Sequence, residues 1–226
     1  MKFQLKRLIN NCLEGAYLRP SNLKFALGQL VSGGHPAHSV SYSDDEHFVA
    51  AAAWLERAQD AMKDGGVCGR YKLASGWTSS YPETTGYIIP TFLELHRVLS
   101  EDRFRERARR AVEFLLRLQL LDGAFPGGEV NDNRTEPSPF NTAQIMHGLQ
   151  AWAIANGDTR CVEALRKSGH WLCDHQDADG AWHQYFYGGI ETTYSAHLSC
   201  RLAEAGEFLQ GLDDHQDVHR VWAALK

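Results

Sequence analysis

A threefold repeat constrains this chain more than any other feature. WLERAQDAMKDGGV at 54–67, FLLRLQLLDGAF at 114–125 and WLCDHQDADGAW at 171–182 share one pattern. An aromatic residue is followed by Leu, with Gln four positions beyond that Leu. An Asp- and Gly-containing turn comes next, closed by an aromatic residue or Val. The glutamines are Gln59, Gln119 and Gln176, roughly 60 residues apart. A second element follows each copy. Glu83-Thr84-Thr85, Asn141-Thr142-Ala143 and Glu191-Thr192-Thr193 each precede an apolar run of helical spacing, namely YIIPTFLEL, QIMHGLQAWAI and YSAHLSCRLAEA.

A unit of this length cannot bury its own apolar face and must stack on its neighbours. Phe104, Ala108, Ala111, Leu115 and Leu118 recur as one stripe of a helix, and no run alternates as a strand would. The sequence therefore predicts an all-α chain of helical hairpins, an (α/α) toroid in which inner and outer helices alternate around an axis. The expected hairpins cover about 44–99, 100–157 and 158–208, with a partial fourth at 209–226. Residues 1–43 are expected to give an N-terminal helix or helices and a Gly/His loop, within one structural domain overall. Ser43 before Asp44, Asp45 and Glu46 is a helix-start signature. A closed ring of six hairpins at ~55 residues each needs over ~300 residues. A chain of 226 residues thus predicts an open or abbreviated ring. Its exposed edge would favour a homodimer or a partner protein that completes the ring.

Composition excludes some functions. The formal charge is −5, and no Lys/Arg run interleaves with aromatics, so no nucleic-acid partner is expected. No apolar run reaches the length of a membrane span, so no membrane insertion is expected. The five scattered cysteines suit reduced thiols in a cytoplasmic protein. No Cys-x-x-Cys or His-Glu-x-x-His framework occurs, and neither a metal nor a cofactor is expected.

The turns from Gln119 to Phe125 and from Gln176 to Trp182 resemble the QW motif of squalene and oxidosqualene cyclases. The resemblance implies a structural role, with the Gln capping a neighbouring helix end and the aromatic packing against the chain. The catalytic signatures of those cyclases do not carry over. The stretch nearest to their Asp-x-Asp-Asp motif is Ser43-Asp44-Asp45-Glu46, at a helix start. From about residue 45 to 195 the chain also resembles an uncharacterised bacterial toroid family associated with polysaccharide and glycoconjugate biosynthesis. GWTSSYPETTGYIIPTF, QLLDGAFPGG, FNTAQIMHG and WLCDHQDADGAW carry that resemblance.

Glu83, Asn141 and Glu191 are expected at equivalent inner-helix entrances, facing one funnel. Two carboxylates and an amide there suit acid/base work, with Glu83 and Glu191 catalytic. Trp77, Tyr81, Tyr87, Asn141, Gln144, His147 and Tyr194 are the expected substrate-binding residues, since aromatic rings and convergent polar groups line ligand clefts. Glu, Asn and Thr at a helix start are equally ordinary capping chemistry. The main expectation is a carbohydrate- or glycoconjugate-active enzyme of hydrolase, lyase or epimerase type, taking a small-molecule or glycan substrate. The alternatives are a non-catalytic glycan- or partner-binding module and a terpenoid cyclase-like enzyme.

Overall fold

The computed structural model describes residues 41–72, 75–132, 136–185 and 195–212. Six helices account for most of them: α1 Asp44–Asp60, α2 Pro82–Leu99, α3 Asp102–Leu118, α4 Pro139–Asn156, α5 Thr159–Asp174 and α6 Ser195–Leu212. The helix starts follow from local chemistry. Ser43 and Glu46 form a reciprocal capping box on α1, with Glu46 N–H donating to Ser43 Oγ at 3.2 Å and Ser43 N–H to Glu46 Oε2 at 2.8 Å. Pro82 and Pro139 open α2 and α4, where a missing N–H costs nothing. Asp158 caps α5 through Arg160 N–H, and Gly157 ends α4 at φ 65°.

Even-numbered helices form an inner layer and odd-numbered helices an outer one. α2 packs on α3 and α4, and α4 packs on α5 and α6. This is the all-α stack of helical hairpins expected of a toroid. The apolar stripe of α3 is buried at Phe104, Ala108, Ala111, Val112 and Leu115. α4 has neighbours on several sides, and its buried set from Asn141 to Met146, with Gly148, Leu149, Trp152 and Ala153, extends well beyond one stripe. Ion pairs tie successive outer helices. Arg107 of α3 reaches Glu56 at 3.1 Å and Asp60 at 2.7 Å on α1, and Arg160 of α5 reaches Glu113 of α3 at 2.8 Å. The first long loop carries a small antiparallel ribbon, β1 Tyr71–Lys72 with β2 Gly76–Trp77. The four described cysteines are free thiols. No helix among the described residues is long and apolar enough to cross a membrane.

Candidate functional site

Each of the first two long loops is fixed at two points. Gln59 is fully buried and donates Nε2–H to Gly65 O at 2.9 Å and to Arg107 O of α3 at 2.9 Å. Gln119 repeats this one hairpin later, donating to Gly123 O at 3.0 Å and to Ala164 O of α5 at 2.9 Å. Each amide thus ties its own turn to the next outer helix. Arg107 and Ala164 lie within their helices, not at the ends, which corrects the expected helix-end cap. Gln176 repeats the local half of the pattern with Gly180 O at 2.8 Å. The turn glycines are required. Gly65, Gly123 and Gly180 have φ of 93°, 98° and 84°, and a Cβ on Gly123 would stand 2.5 Å from Lys167 O of α5. Phe125 and Trp182 close their turns as buried packing residues.

The second point lies at the inner-helix starts. Val67 N–H donates to Thr85 Oγ1 at 2.9 Å, while Tyr81 N–H donates to Val67 O at 2.9 Å. Phe125 N–H donates to Thr142 Oγ1 at 2.9 Å, while Ser138 N–H donates to Phe125 O at 3.0 Å. These bonds set the register between hairpins. Thr85 matches Thr142, Pro82 matches Pro139, and Asn141 matches Thr84. The expected equivalence of Glu83 with Asn141 is therefore displaced by one residue, and Phe140 stands in the place of Glu83. The hydroxyl that accepts the loop N–H is what recurs; the residues before it answer to no such constraint.

Four expected site residues do come together. The Glu83 carboxylate accepts the Tyr87 hydroxyl at 2.9 Å, and the Tyr81 hydroxyl lies beside it. The Asn141 side chain and the Gly128 backbone lie around the Tyr81 hydroxyl. Asn141 itself is buried and donates Nδ2–H to Pro126 O at 3.3 Å. Burial raises the pKa of Glu83 above the ordinary glutamate value, against the lowering effect of the Tyr87 and Tyr81 hydroxyls. Burial and the Glu83 charge push Tyr87 up to about 12 and raise Tyr81 too. This is a proton-holding cluster at the start of α2.

Other expected residues lie elsewhere. Trp77 belongs to an outer aromatic group, 4.7 Å from Trp54 and 5.1 Å from Tyr71 between ring centroids. Gln144 is buried in α4. His147 lies half-buried on α4, where its Nδ1 meets Arg201 Nη1 of α6 at 3.1 Å. Arg201 and Glu204 of that group were not foreseen, because both read as solvent-facing members of an apolar-periodic run. Arg70, in the first long loop, is paired with Glu129 at 2.9 Å. Glu191 and Tyr194 lie outside the described residues. Beyond these groups, an open groove of about 510 Å³ separates the C-terminal halves of α2 and α4. Pro90, Leu93, Ala151 and Ala155 give it an apolar lining, with Glu94 and Arg97 among its charged residues.

Fold and loops together define a class, the (α/α) toroid built of Gln-stitched helical hairpins. No protein-family model matches the chain. Over 205 residues it is 23% identical to sporulenol synthase of Bacillus subtilis (strain 168), a terpenoid cyclase. The match covers 81% of this chain and 32% of that protein, so the chain spans about a third of the length of that relative. This similarity corrects the functional expectation. The similarity is to one terpenoid cyclase, and the glycan-modifying and glycan-binding readings have no counterpart in it. The association with polysaccharide biosynthesis gains no support from it either.

Proposed function

We propose that this chain is a terpenoid cyclase-type toroid segment, with the open faces of α2, α4 and α6 serving as the wall along which an isoprenoid chain lies. The similarity to sporulenol synthase across 81% of the chain carries this reading. The Gln-stitched turns support it, since they occur here in the positions where the QW resemblance puts them. The apolar floor of the groove between α2 and α4 suits a hydrocarbon segment.

Cyclisation of a polyene is an isomerisation. A proton adds to one alkene carbon, the resulting cation is attacked by the next alkene, and a proton leaves at the end. The acidic stretch nearest to an Asp-x-Asp-Asp motif is poorly placed for that task, because Asp44 and Asp45 are exposed and Glu46 is bound to Ser43 in the capping box. Glu83 is the better proton-handling group. Burial keeps its carboxyl more protonated than an exposed glutamate, and Tyr81 and Tyr87 hold its position. Glu191 aligns with Glu83 in sequence and is its proposed partner.

The test is incubation of the protein with acyclic polyprenyl hydrocarbons in deuterated water, read by gas chromatography and mass spectrometry. The expected product is a cyclic isomer carrying one deuterium in place of hydrogen, lost in Glu83→Gln. Binding without conversion, read by displacement of a fluorescent polyene, would leave an isoprenoid-binding module and remove the role given to Glu83. Neither binding nor conversion would overturn the proposal.

A further inference from the structure

The seam between α4 and α6 holds a polar group that the cluster at Glu83 does not use. Arg201 Nη1 donates to Glu204 Oε2 at 2.6 Å and contacts His147 Nδ1 at 3.1 Å. An arginine has no lone pair to offer, so Nδ1 is the acceptor in the second contact. The imidazole proton therefore sits on Nε2. Adding a second proton at Nδ1 would place two cations face to face. His147 is thus held as a neutral hydrogen-bond donor, not as a base. The direction of its pKa agrees: burial lowers it first, the Arg201 charge lowers it further, and the Glu204 carboxylate opposes both without reversing the shift.

Two N–H groups in this seam lack acceptors among the described residues. One is His147 Nε2–H, on a side chain that is one-third exposed. The other is Arg201 Nε–H, which is enclosed and makes no hydrogen bond. An enclosed, unpaired donor is costly, but its enclosure leaves an incoming oxygen no approach, so His147 Nε2–H is the donor a ligand can reach. Charge decides which oxygen. Glu204 neutralises Arg201 at 2.6 Å, and it lies 3.9 Å from His147 Nδ1. A diphosphate would meet that carboxylate with no spare cation to offset it. An uncharged acceptor meets no such repulsion.

We infer that the α4–α6 seam is a binding site for a neutral oxygen function, a hydroxyl or carbonyl, on the isoprenoid ligand, with His147 as the donor and Arg201 as the residue that positions it. This rests on the isoprenoid reading above and adds a polarity requirement to one point of the ligand. It makes oxygenated polyprenoids better ligands than the parent hydrocarbons.

The experiment compares three probes of equal chain length: a polyprenyl alcohol, the matched hydrocarbon and the matched diphosphate. Their Kd values are read by tryptophan fluorescence on the wild type, His147→Leu and Arg201→Lys. One hydrogen bond should favour the alcohol over the hydrocarbon by about tenfold in the wild type. That ratio, internal to each variant and so insensitive to small losses of folding, should fall to about one in both. A tenfold ratio that survives in His147→Leu, or a ratio near one in the wild type, overturns the inference while leaving the isoprenoid reading intact. Diphosphate binding more tightly than the alcohol overturns the neutral-oxygen assignment. Failure of all three probes to bind removes the isoprenoid reading and this inference with it.

Discussion

The carbonyl oxygen of Gly86 in α2 lies so close to Gly148 of α4 that a Cβ on Gly148 would stand 2.1 Å from it. Two sequence features make the approach possible. Pro90 has no N–H, so the Gly86 carbonyl has no partner one turn ahead in its own helix. Gly148 has no side chain, so a Cα–H can turn toward that oxygen. From the other side, a Cβ on Gly86 would stand 2.7 Å from Ile145 Cα. The central contact of the inner layer is therefore backbone on backbone.

Gly148→Ala should destabilise the protein even though alanine is the better helix former. The propensity gain is about 1 kcal/mol. The added methyl meets a backbone oxygen, which no rotamer change can move, and overpacking of that kind costs about 1–3 kcal/mol. With the immovable oxygen placing the cost at the upper end, a net loss of up to about 2 kcal/mol is expected in urea unfolding, with the slope unchanged. Wild-type stability in this variant would mean that α2 and α4 slide apart freely.

Gln59→Met and Gln176→Met should differ. Gln59 is fully buried and ties Gly65 to Arg107, so its loss strands two carbonyl contacts and should cost about 2 kcal/mol. Gln176 makes only its turn bond to Gly180 among the described residues and should cost about 0.5 kcal/mol. Equal midpoint shifts in thermal unfolding would contradict the bridging role.

Glu83 gives a pH signature. Its folded pKa is raised, so the folded state holds the proton more tightly than the unfolded chain. The group favours folding below the ordinary glutamate pKa of about 4.3, and that contribution is lost as pH rises through the folded value. Glu83→Gln should therefore have a higher urea midpoint than the wild type at pH 7. The difference should shrink as pH falls toward about 4. A lower midpoint at pH 7 would show that the hydroxyls of Tyr81 and Tyr87 outweigh burial.

Arg107→Ala should cost far more than Arg97→Ala. Arg107 is 14% exposed and serves Glu56, Asp60 and the Gln59 side chain at once. Removing it leaves partly buried acceptors unpaired, for about 2 kcal/mol. Arg97 is 72% exposed and pairs with Glu94 within its own helix, where solvent screening leaves little to lose. The comparison is made at low and high salt, where only the Arg97 pair should fade.

Much of the architecture was legible from the repeat. Gln59 and Gln119 recur with their glycines because one geometry demands both: a left-handed turn, and an amide that reaches its carbonyl and the next helix together. The stripe from Phe104 to Leu115 told helix from strand for an equally local reason. The functional side was less legible. Similar polar residues crowd the helix starts, and counting from Glu83 and Asn141 gave a register one residue out. The Thr85 and Thr142 hydroxyl bonds corrected it, and no spacing in the sequence announces which hydroxyl takes a loop N–H.

The sequence by itself determined the helical class, the hairpin repeat, the stitched turns and the capping of α1 by Ser43. Each depends on residues close in the chain, or on a period the chain repeats. Only the tertiary structure decided that Gly148 would lie on the Gly86 carbonyl, that Glu83 would be buried enough to raise its pKa, and that Arg201 would fix the proton of His147 on Nε2. Gly86 and Gly148 meet, as do His147 and Arg201, only when separate hairpins stack. Their chemistry comes from distance, burial and the neighbour's charge, which the packing of α2, α4 and α6 creates.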